Sequence, residues 1–349
     1  MGKRLVRIFY YTKQILIFGT SYEGSPDWSA REEMPVQQGG RICESGNIMR
    51  KKIFVNARPT HAYQKGRQGN VLFYCVQDRL VYYTIYCIEA EKYGIVTLAL
   101  TLMYNHTHSL QLAATYPVFL HFNGTVEMLY VYEFKRSGGL SGPLFQRSFG
   151  WAQKVGDKAI RTCMAYIANN AKEKRLHRDV LDYRWNFIAY AKSDHPYSSP
   201  LVLRRSSFRM RRAVARIKWY RKHGRYLNHA ALNQLFEGLE QEEQEQLIDF
   251  IICTYQVVDY QEAIRYWGSY EKMVEAFRIS SGSEYDISEE NEDDLPYREM
   301  IKEIQRLGYR ATERDYLKES ENRFTNLFGR LLRLAPRWQV MRFLHLTKK

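Results

Sequence analysis

The chain has 349 residues, of which 45% are hydrophobic, the proportion of an ordinary globular protein. That composition excludes wholesale disorder, collagen, coiled-coil rods and disulfide scaffolds, and the length predicts two or three parts at about 100–200 residues per domain. Lys and Arg number 52 against 38 Asp and Glu, giving +14, and aromatics reach 14%. A basic, aromatic chain suits a polyanion with unpaired bases to stack, and composition alone describes a basic protein without such a partner equally well.

Residues 1–48 lack clear periodicity and carry a Gly/Ser/Pro-rich stretch, Glu23-Gly-Ser-Pro-Asp27. They are expected to be a loosely ordered extension, with Met49 opening the folded protein. Leu5–Phe18 is apolar but broken by Arg7 and Lys13, so neither a signal peptide nor a membrane span of about 20 residues is expected. The five cysteines are odd in number and contain no Cys-x-x-Cys pair, which points to a reducing cytoplasm and away from a zinc knuckle. The Asn105-His-Thr and Asn123-Gly-Thr sequons are then accidental.

Residues 49–200 alternate strand and helix. Ile53–Tyr63 reads as a strand, followed by a basic turn (Gln64–Gly69) and a helix over Val76–Tyr93 that Gly94 ends. Ile95–Leu112 is strand-like, Pro117 opens a helix to about Arg136, Leu144–Phe149 is a short strand, and Lys158–Lys174 a further helix. The pattern predicts an α+β sandwich of about 150 residues. Residues 201–279 follow as a basic, helical region. Leu203–Arg225 holds ten basic residues and no acidic one, a run that is either a solvated helix face or a surface tracking phosphates. Residues 280–295 form an acidic linker. Residues 296–349 carry two or three short helices, suited to a helix-turn-helix-like unit.

Chemistry concentrates in Met103-Tyr-Asn-His-Thr-His108. Side chains alternate along a strand, so His106 and His108 share a face while Thr107 turns away. Two imidazoles on one face are half of a metal site, although His-x-His by itself is as readily a surface pair. In the helix Lys158–Lys174, Tyr166 and Asn170 lie four apart and share a face. An amide oxygen beside two imidazoles suits Mg²⁺ or Mn²⁺, with Tyr166 one turn away as nucleophile; a tyrosine there is equally a core residue.

Several runs together resemble the single-tyrosine HUH transposases, particularly the REP-associated tyrosine transposase branch. Met103–His108 is similar to the family's Met-Pro-Asn-His-Val-His strand, and Gly142-Pro-Leu-Phe-Gln146 to its Gly-x-Leu-[Phe/Trp]-Gln run. Tyr166-Ile-Ala-Asn-Asn170 is similar to its Tyr-Ile-x-x-Asn-Pro helix, and Asp182-Tyr-Arg-Trp-Asn-Phe187 to its Asp-Tyr-x-Trp-Ser-Ser. Tyr104, Thr107 and Ala171 depart from the pattern without removing a reacting group. The part beyond Pro200 resembles the C-terminal extension of Bacteroidetes-type members, an accessory DNA-binding region.

The resemblance implies a ferredoxin-like HUH domain with an antiparallel central sheet, followed by all-α structure. It implies a divalent ion held by His106, His108 and Asn170, and attack by Tyr166 on a single-stranded phosphodiester. The product is a 5′-phosphotyrosyl link with a free 3′-hydroxyl, and rejoining needs no nucleotide cofactor. The phenol and the imidazoles should face each other across a gap that admits one ion and one backbone linkage. Tyr183, Tyr190 and Tyr197 are rival nucleophiles. Lys65, Arg67, Arg147 and Arg161 are expected at phosphates, with Arg204, Arg205, Arg209, Arg211, Arg212, Arg216 and Lys218 on the basic run. Expected partners are single-stranded or hairpin DNA and, since relatives include dimers and monomers, a second copy of the chain. The competing functions are a non-catalytic DNA-binding regulator and a replication-initiator or relaxase-like nickase.

Overall fold

Two interior strands and a crossing helix fix the architecture. In the computed structural model, which describes residues 53–67, 71–138, 142–146, 149–174, 176–279, 295–308, 321–335 and 337–344, the elements run β1 (Thr60–Lys65), α1 (Val76–Tyr93), β2 (Val96–Leu102), β3 (His106–Leu112), α2 (Tyr116–Gly138), β4 (Gly150–Gln153) and α3 (Gly156–Glu173). Three short 3-10 turns (Val180–Asp182, Arg184–Asn186 and Ile188–Ala191) precede an all-helical remainder: α4 (Phe208–Lys222), α5 (His229–Phe236), α6 (Gln241–Tyr255), α7 (Tyr260–Arg265), α8 (Tyr270–Ile279), α9 (Leu295–Arg306), α10 (Glu321–Leu331) and α11 (Arg337–Phe343). The expected N-terminal extension, most of the acidic linker and Arg147 lie outside the described residues. Phe54–Lys349 forms one compact unit.

The four strands make one antiparallel sheet in the order β2-β3-β1-β4. The expected single strand over Ile95–Leu112 is instead a hairpin, folded back at Met103–Asn105. The last strand is Gly150–Gln153 rather than Leu144–Phe149; Phe145 makes only an isolated bridge to Gly66. Val76–Tyr93 is helical as expected. Cys75 caps its start by accepting from the Asp78 N–H, and Gly94 ends it at φ 62°, the left-handed region that costs glycine nothing.

Alternation divides the sheet into two faces. On one, β3 presents Thr107, Ser109 and Gln111 towards α1 and α2: Thr107 Oγ1 meets the Tyr82 hydroxyl at 3.3 Å, and Gln111 Nε2 donates to Asn123 Oδ1 at 3.0 Å. On the other, His106, His108 and Leu110 face α3, where Leu98 and Leu110 pack with Ile160, Cys163, Met164 and Ile167. A register shift between Thr97 and Ala99 switches the parity of β2. Thr97 therefore bonds Tyr86 on the α1 side, while Thr101 donates to the Ile167 carbonyl of α3.

The free edge of β2 is closed by a parallel bridge from Val258, with Asp259 N–H donating to the Thr97 carbonyl at 2.8 Å. The helical region shares the core of α1, since the Tyr83 hydroxyl donates to the Ile252 carbonyl and Met210, Val214, Leu247 and Ile251 are buried. Asp249 joins the two. Buried on α6, it accepts from the Tyr190 hydroxyl (2.6 Å), Tyr197 N–H (3.1 Å) and Ser198 hydroxyl (2.9 Å), with Arg184 at 3.3 Å.

Removing one member of a buried ion pair strands its partner, at a cost of about 3–5 kcal/mol. Asp249→Ala should therefore lower the unfolding free energy by about 3 kcal/mol or more in urea titration. A change below about 1 kcal/mol contradicts the clamp.

Candidate active site

The turn that starts β3 contains neither Gly nor Pro and is held from outside. The Tyr104 carbonyl accepts the N–H groups of Leu72 (2.7 Å) and Phe73 (3.0 Å), and the Asn105 carbonyl accepts that of Gly66 (2.7 Å). The buried Arg79 guanidinium lies 4.8 Å from the Tyr104 ring centroid and 5.4 Å from that of Trp185. Tyr104, where the family pattern has Pro, is thus anchored by backbone pairing and ring contact.

His106 and His108 project from β3 onto α3, and the four residues selected from the sequence come together. His106 Nε2 stands 3.0 Å from Asn170 Oδ1. The His106 and His108 rings meet edge-on with centroids 4.9 Å apart, and the Tyr166 ring meets His108 edge-on at 5.3 Å. Ala171, in place of the family's Pro, lets α3 continue to Glu173.

Two members escaped the sequence reading. His61, on β1, lies with its Nε2 3.0 Å from His108 Nδ1, the rings stacked at 5.1 Å. Its signal is parity: Tyr63 pairs with His108 across the strands, so His61 shares that face. Asn105 Oδ1 lies within hydrogen-bonding distance of His106 Nδ1. Burial holds the His61 imidazole down at about 3, with the Lys154 charge adding to it. Burial likewise pushes His108 well below the usual histidine range, reinforced by His106, His61, Lys65 and Lys174. Lys154 and Lys174 were not selected from the sequence; Lys65 was.

Among the described residues no group of three His, Cys, Asp or Glu is placed to hold a metal ion. A set completed by an amide remains, and His106 tests whether it fits. A neutral imidazole has one N–H, yet amide oxygens stand at both of its nitrogens. Its single N–H serves one of the two, and which nitrogen carries it depends on the tautomer. Two imidazoles and an amide oxygen are donor types that suit a small divalent ion.

The gap expected between phenol and imidazoles is closed. Tyr166 is 5% exposed, and His106, His108 and Asn170 are buried as well. Met273, Val274 and Phe277 of α8 belong to the same apolar cluster as Tyr166. Asn169 Nδ2 donates to the Phe277 carbonyl and Lys172 Nζ to the Arg278 carbonyl, both at 2.7 Å. The rival tyrosines are structural donors: Tyr183 to the Leu102 carbonyl (2.6 Å), Tyr190 to Asp249, and Tyr197 to the Leu181 carbonyl (2.5 Å).

The expected phosphate contacts are dispersed. Lys65 is half-buried at the end of β1, Arg67 is exposed, and Arg161 Nη1 donates to the Tyr266 carbonyl at 3.4 Å. Arg204 and Arg205 are exposed ahead of α4. On α4, Met210, Ala213, Val214 and Ile217 face inward, which leaves Arg209, Arg211, Arg212, Arg216 and Lys218 outward. Arg209 donates to the Gly238 carbonyl and Arg211 to that of Ser206. Trp219, 46% exposed, carries the Arg225 guanidinium 5.3 Å from its ring centroid. No helix among the described residues is long and apolar enough to cross a membrane.

The buried His61 also sets a pH dependence. Unfolded, it takes a proton near 6.5; folded, it resists protonation down to about 3. The unfolded chain binds more protons between those values, so this stability is complete above pH 6.5 and is lost as pH falls towards 3. At pH 5 the loss from His61 is about 2 kcal/mol. Urea midpoints at pH 7.5 and pH 5 should differ less in His61→Gln than in wild type; an equal difference contradicts a buried neutral imidazole.

No protein-family model and no curated protein matches the chain. A solved structure of a REP-associated tyrosine transposase bound to a REP hairpin aligns with 41% of this chain and 84% of its own, at 12% identity and a TM-score of 0.34, a likeness that carries no argument about what this chain does.

Proposed function

We propose that the chain is an HUH-type DNA transposase that cleaves and rejoins single-stranded DNA at hairpin or palindromic sequences through a 5′-phosphotyrosine. The observation that carries this reading is the convergence of His106 and His108 on β3 with Asn170 and Tyr166 on α3, the His106–Asn170 contact being 3.0 Å. The βαββαβ order with strands β2-β3-β1-β4 supports a ferredoxin-like domain. On this reading residues 49–200 are catalytic, 201–279 bind DNA, and 296–349 form a helix-turn-helix-like unit. The free thiols of Cys75, Cys87, Cys163 and Cys253 suit a reducing cytoplasm.

His106, His108 and Asn170 would hold Mg²⁺ or Mn²⁺, which would offset charge on the scissile phosphate. Asn105 and His61 orient the two imidazoles. Tyr166 gives its phenolic proton to water and attacks phosphorus; the bond from phosphorus to the 3′-oxygen breaks, and that oxygen takes a proton from water and leaves as a hydroxyl. Attack by a 3′-hydroxyl on the phosphotyrosyl link reverses the step, restores the phenol and consumes no nucleotide. Arg212, Arg216 and Lys218 hold the strand by its phosphates, in a chain that acts as a monomer or homodimer.

The closure over Tyr166 favours a second reading, a DNA-binding regulator on the same fold that uses α4 and leaves the phenol unused. A labelled single-stranded hairpin oligonucleotide separates the two. Wild type should form a denaturant-resistant adduct only with Mg²⁺ or Mn²⁺. Tyr166→Phe should abolish the adduct, and His106→Ala should lower its formation by at least a hundredfold while binding persists. Adduct formed equally by Tyr166→Phe excludes this nucleophile, and no adduct from wild type selects the regulator.

Phosphate contacts on α4 have their own readout. In an Arg212→Ala/Arg216→Ala/Lys218→Ala variant, affinity for single-stranded DNA should fall and the slope of log affinity against log salt should flatten by about 0.7 per lost contact. An unchanged slope places the strand elsewhere.

A further inference from the structure

Two buried imidazoles 3.0 Å apart cannot both present a proton on the shared edge. His61 Nε2 and His108 Nδ1 therefore hold one proton between them, in one of two arrangements. If His61 donates, His108 keeps its own proton on Nε2 and that nitrogen has no lone pair to offer. If His108 donates from Nδ1, its Nε2 carries the lone pair, and His61 keeps its proton on Nδ1. Only the second arrangement makes His108 a ligand.

The neighbouring imidazole has the same device in simpler form. His106 has a side-chain amide oxygen at each ring nitrogen, Asn105 at Nδ1 and Asn170 at Nε2; with its one proton on Nδ1 towards Asn105, the Nε2 lone pair is directed to the Asn170 side. Ring nitrogens opposite a metal-facing nitrogen are held in this way by acceptors that fix tautomer and orientation. Tyr63 and Tyr166 flank His61, with centroids at 5.7 and 5.9 Å, and keep its ring stacked on His108.

We propose that His61 is a positioning residue: its Nε2 accepts the Nδ1 proton of His108 and so reserves His108 Nε2 for a divalent cation. His61 is to His108 what Asn105 is to His106. It touches neither cation nor DNA, and its effect on both passes through the tautomer of one ring. The role rests on the metal set named under the proposed function, but the tautomer can be read in metal-free protein.

In metal-free wild-type protein, long-range ¹H–¹⁵N correlation spectra should show His108 with a protonated Nδ1 and an unprotonated Nε2. The opposite tautomer overturns the proposal, whether or not the chain binds metal. His61→Phe keeps an aromatic ring but removes the acceptor. It should mix the His108 tautomers and weaken Mn²⁺ binding, followed by electron paramagnetic resonance, by about 10–100-fold. His61→Gln, which restores an acceptor oxygen, should keep the Nδ1 tautomer and recover affinity to within about threefold of wild type. Mn²⁺ binding or a tautomer unchanged in His61→Phe, with its fold verified by circular dichroism, also overturns it. If wild type holds the expected tautomer but takes up no Mn²⁺, the positioning stands and the metal-dependent reading fails.

Discussion

The pleat of one interior strand sorts the chemistry of this molecule. β3 lies between β1 and β2, and its two faces carry different work: Thr107, Ser109 and Gln111 bond into the α1–α2 layer, while His106 and His108 meet α3. A slip of one residue would exchange those sets, putting imidazoles into the aromatic core and a threonine opposite Tyr166. Several features oppose the slip. The turn at Met103–Asn105 is bonded to Gly66, Leu72 and Phe73, and the irregularity at Thr97–Ala99 fixes the partner strand. Gly150 is part of the same restraint. The Tyr63 ring passes so close over it that a Cβ there would lie 2.2 Å from Tyr63 Cζ, so any larger residue would push that ring aside.

What could be read from the sequence follows from how local each signal is. The bounds of α1 are written in adjacent residues, a capping side chain at Cys75 and a left-handed position at Gly94. His106, His108, Tyr166 and Asn170 could be found because strand and helix periods each place a pair on one face, and facing pairs then need only one packing event. The hairpin in Ile95–Leu112 was hidden because its turn, closed by Met103 N–H donating to the His106 carbonyl, is braced by bonds from residues some 30–40 positions away and has no Gly or Pro at the bend. His61 was hidden for a similar reason. A single histidine in a strand has no periodic partner, and its meaning arises only when Tyr63 falls opposite His108. Closure over Tyr166 depends on α8, more than a hundred residues further along the chain, and no local pattern announces it.

Basic residues illustrate the same limit from another side. The run from Leu203 to Arg225 reads as uniform charge, yet folding divides it. Arg221 is drawn into a bidentate pair with Glu91 and a bond to the Thr254 carbonyl, a structural task. Arg209 and Arg211 lean on carbonyls, while Arg212, Arg216 and Lys218 stay outward on the face opposite Met210, Val214 and Ile217. Charge density in a sequence marks where an anion is attracted; packing decides which side chains are left to meet it.

A buried phenol and an exposed basic helix make different demands on a DNA strand. Contact with α4 requires no rearrangement, whereas attack by Tyr166 requires the α3–α8 seam to part. The polar bonds in that seam, from Asn169 and Lys172 to carbonyls of α8, contribute about 1 kcal/mol each in net terms, and the apolar contacts of Met273, Val274 and Phe277 add more. Local opening at such a cost leaves the competent form a minor population, and apparent affinity for the scissile phosphate is reduced by that fraction. Binding energy gained elsewhere along the strand can offset this reduction only if the strand interacts more favourably with the open form. Catalysis on this scaffold would therefore couple two events that a regulator keeps separate: capture by outward cations, and exposure of a phenol already aligned with its imidazoles.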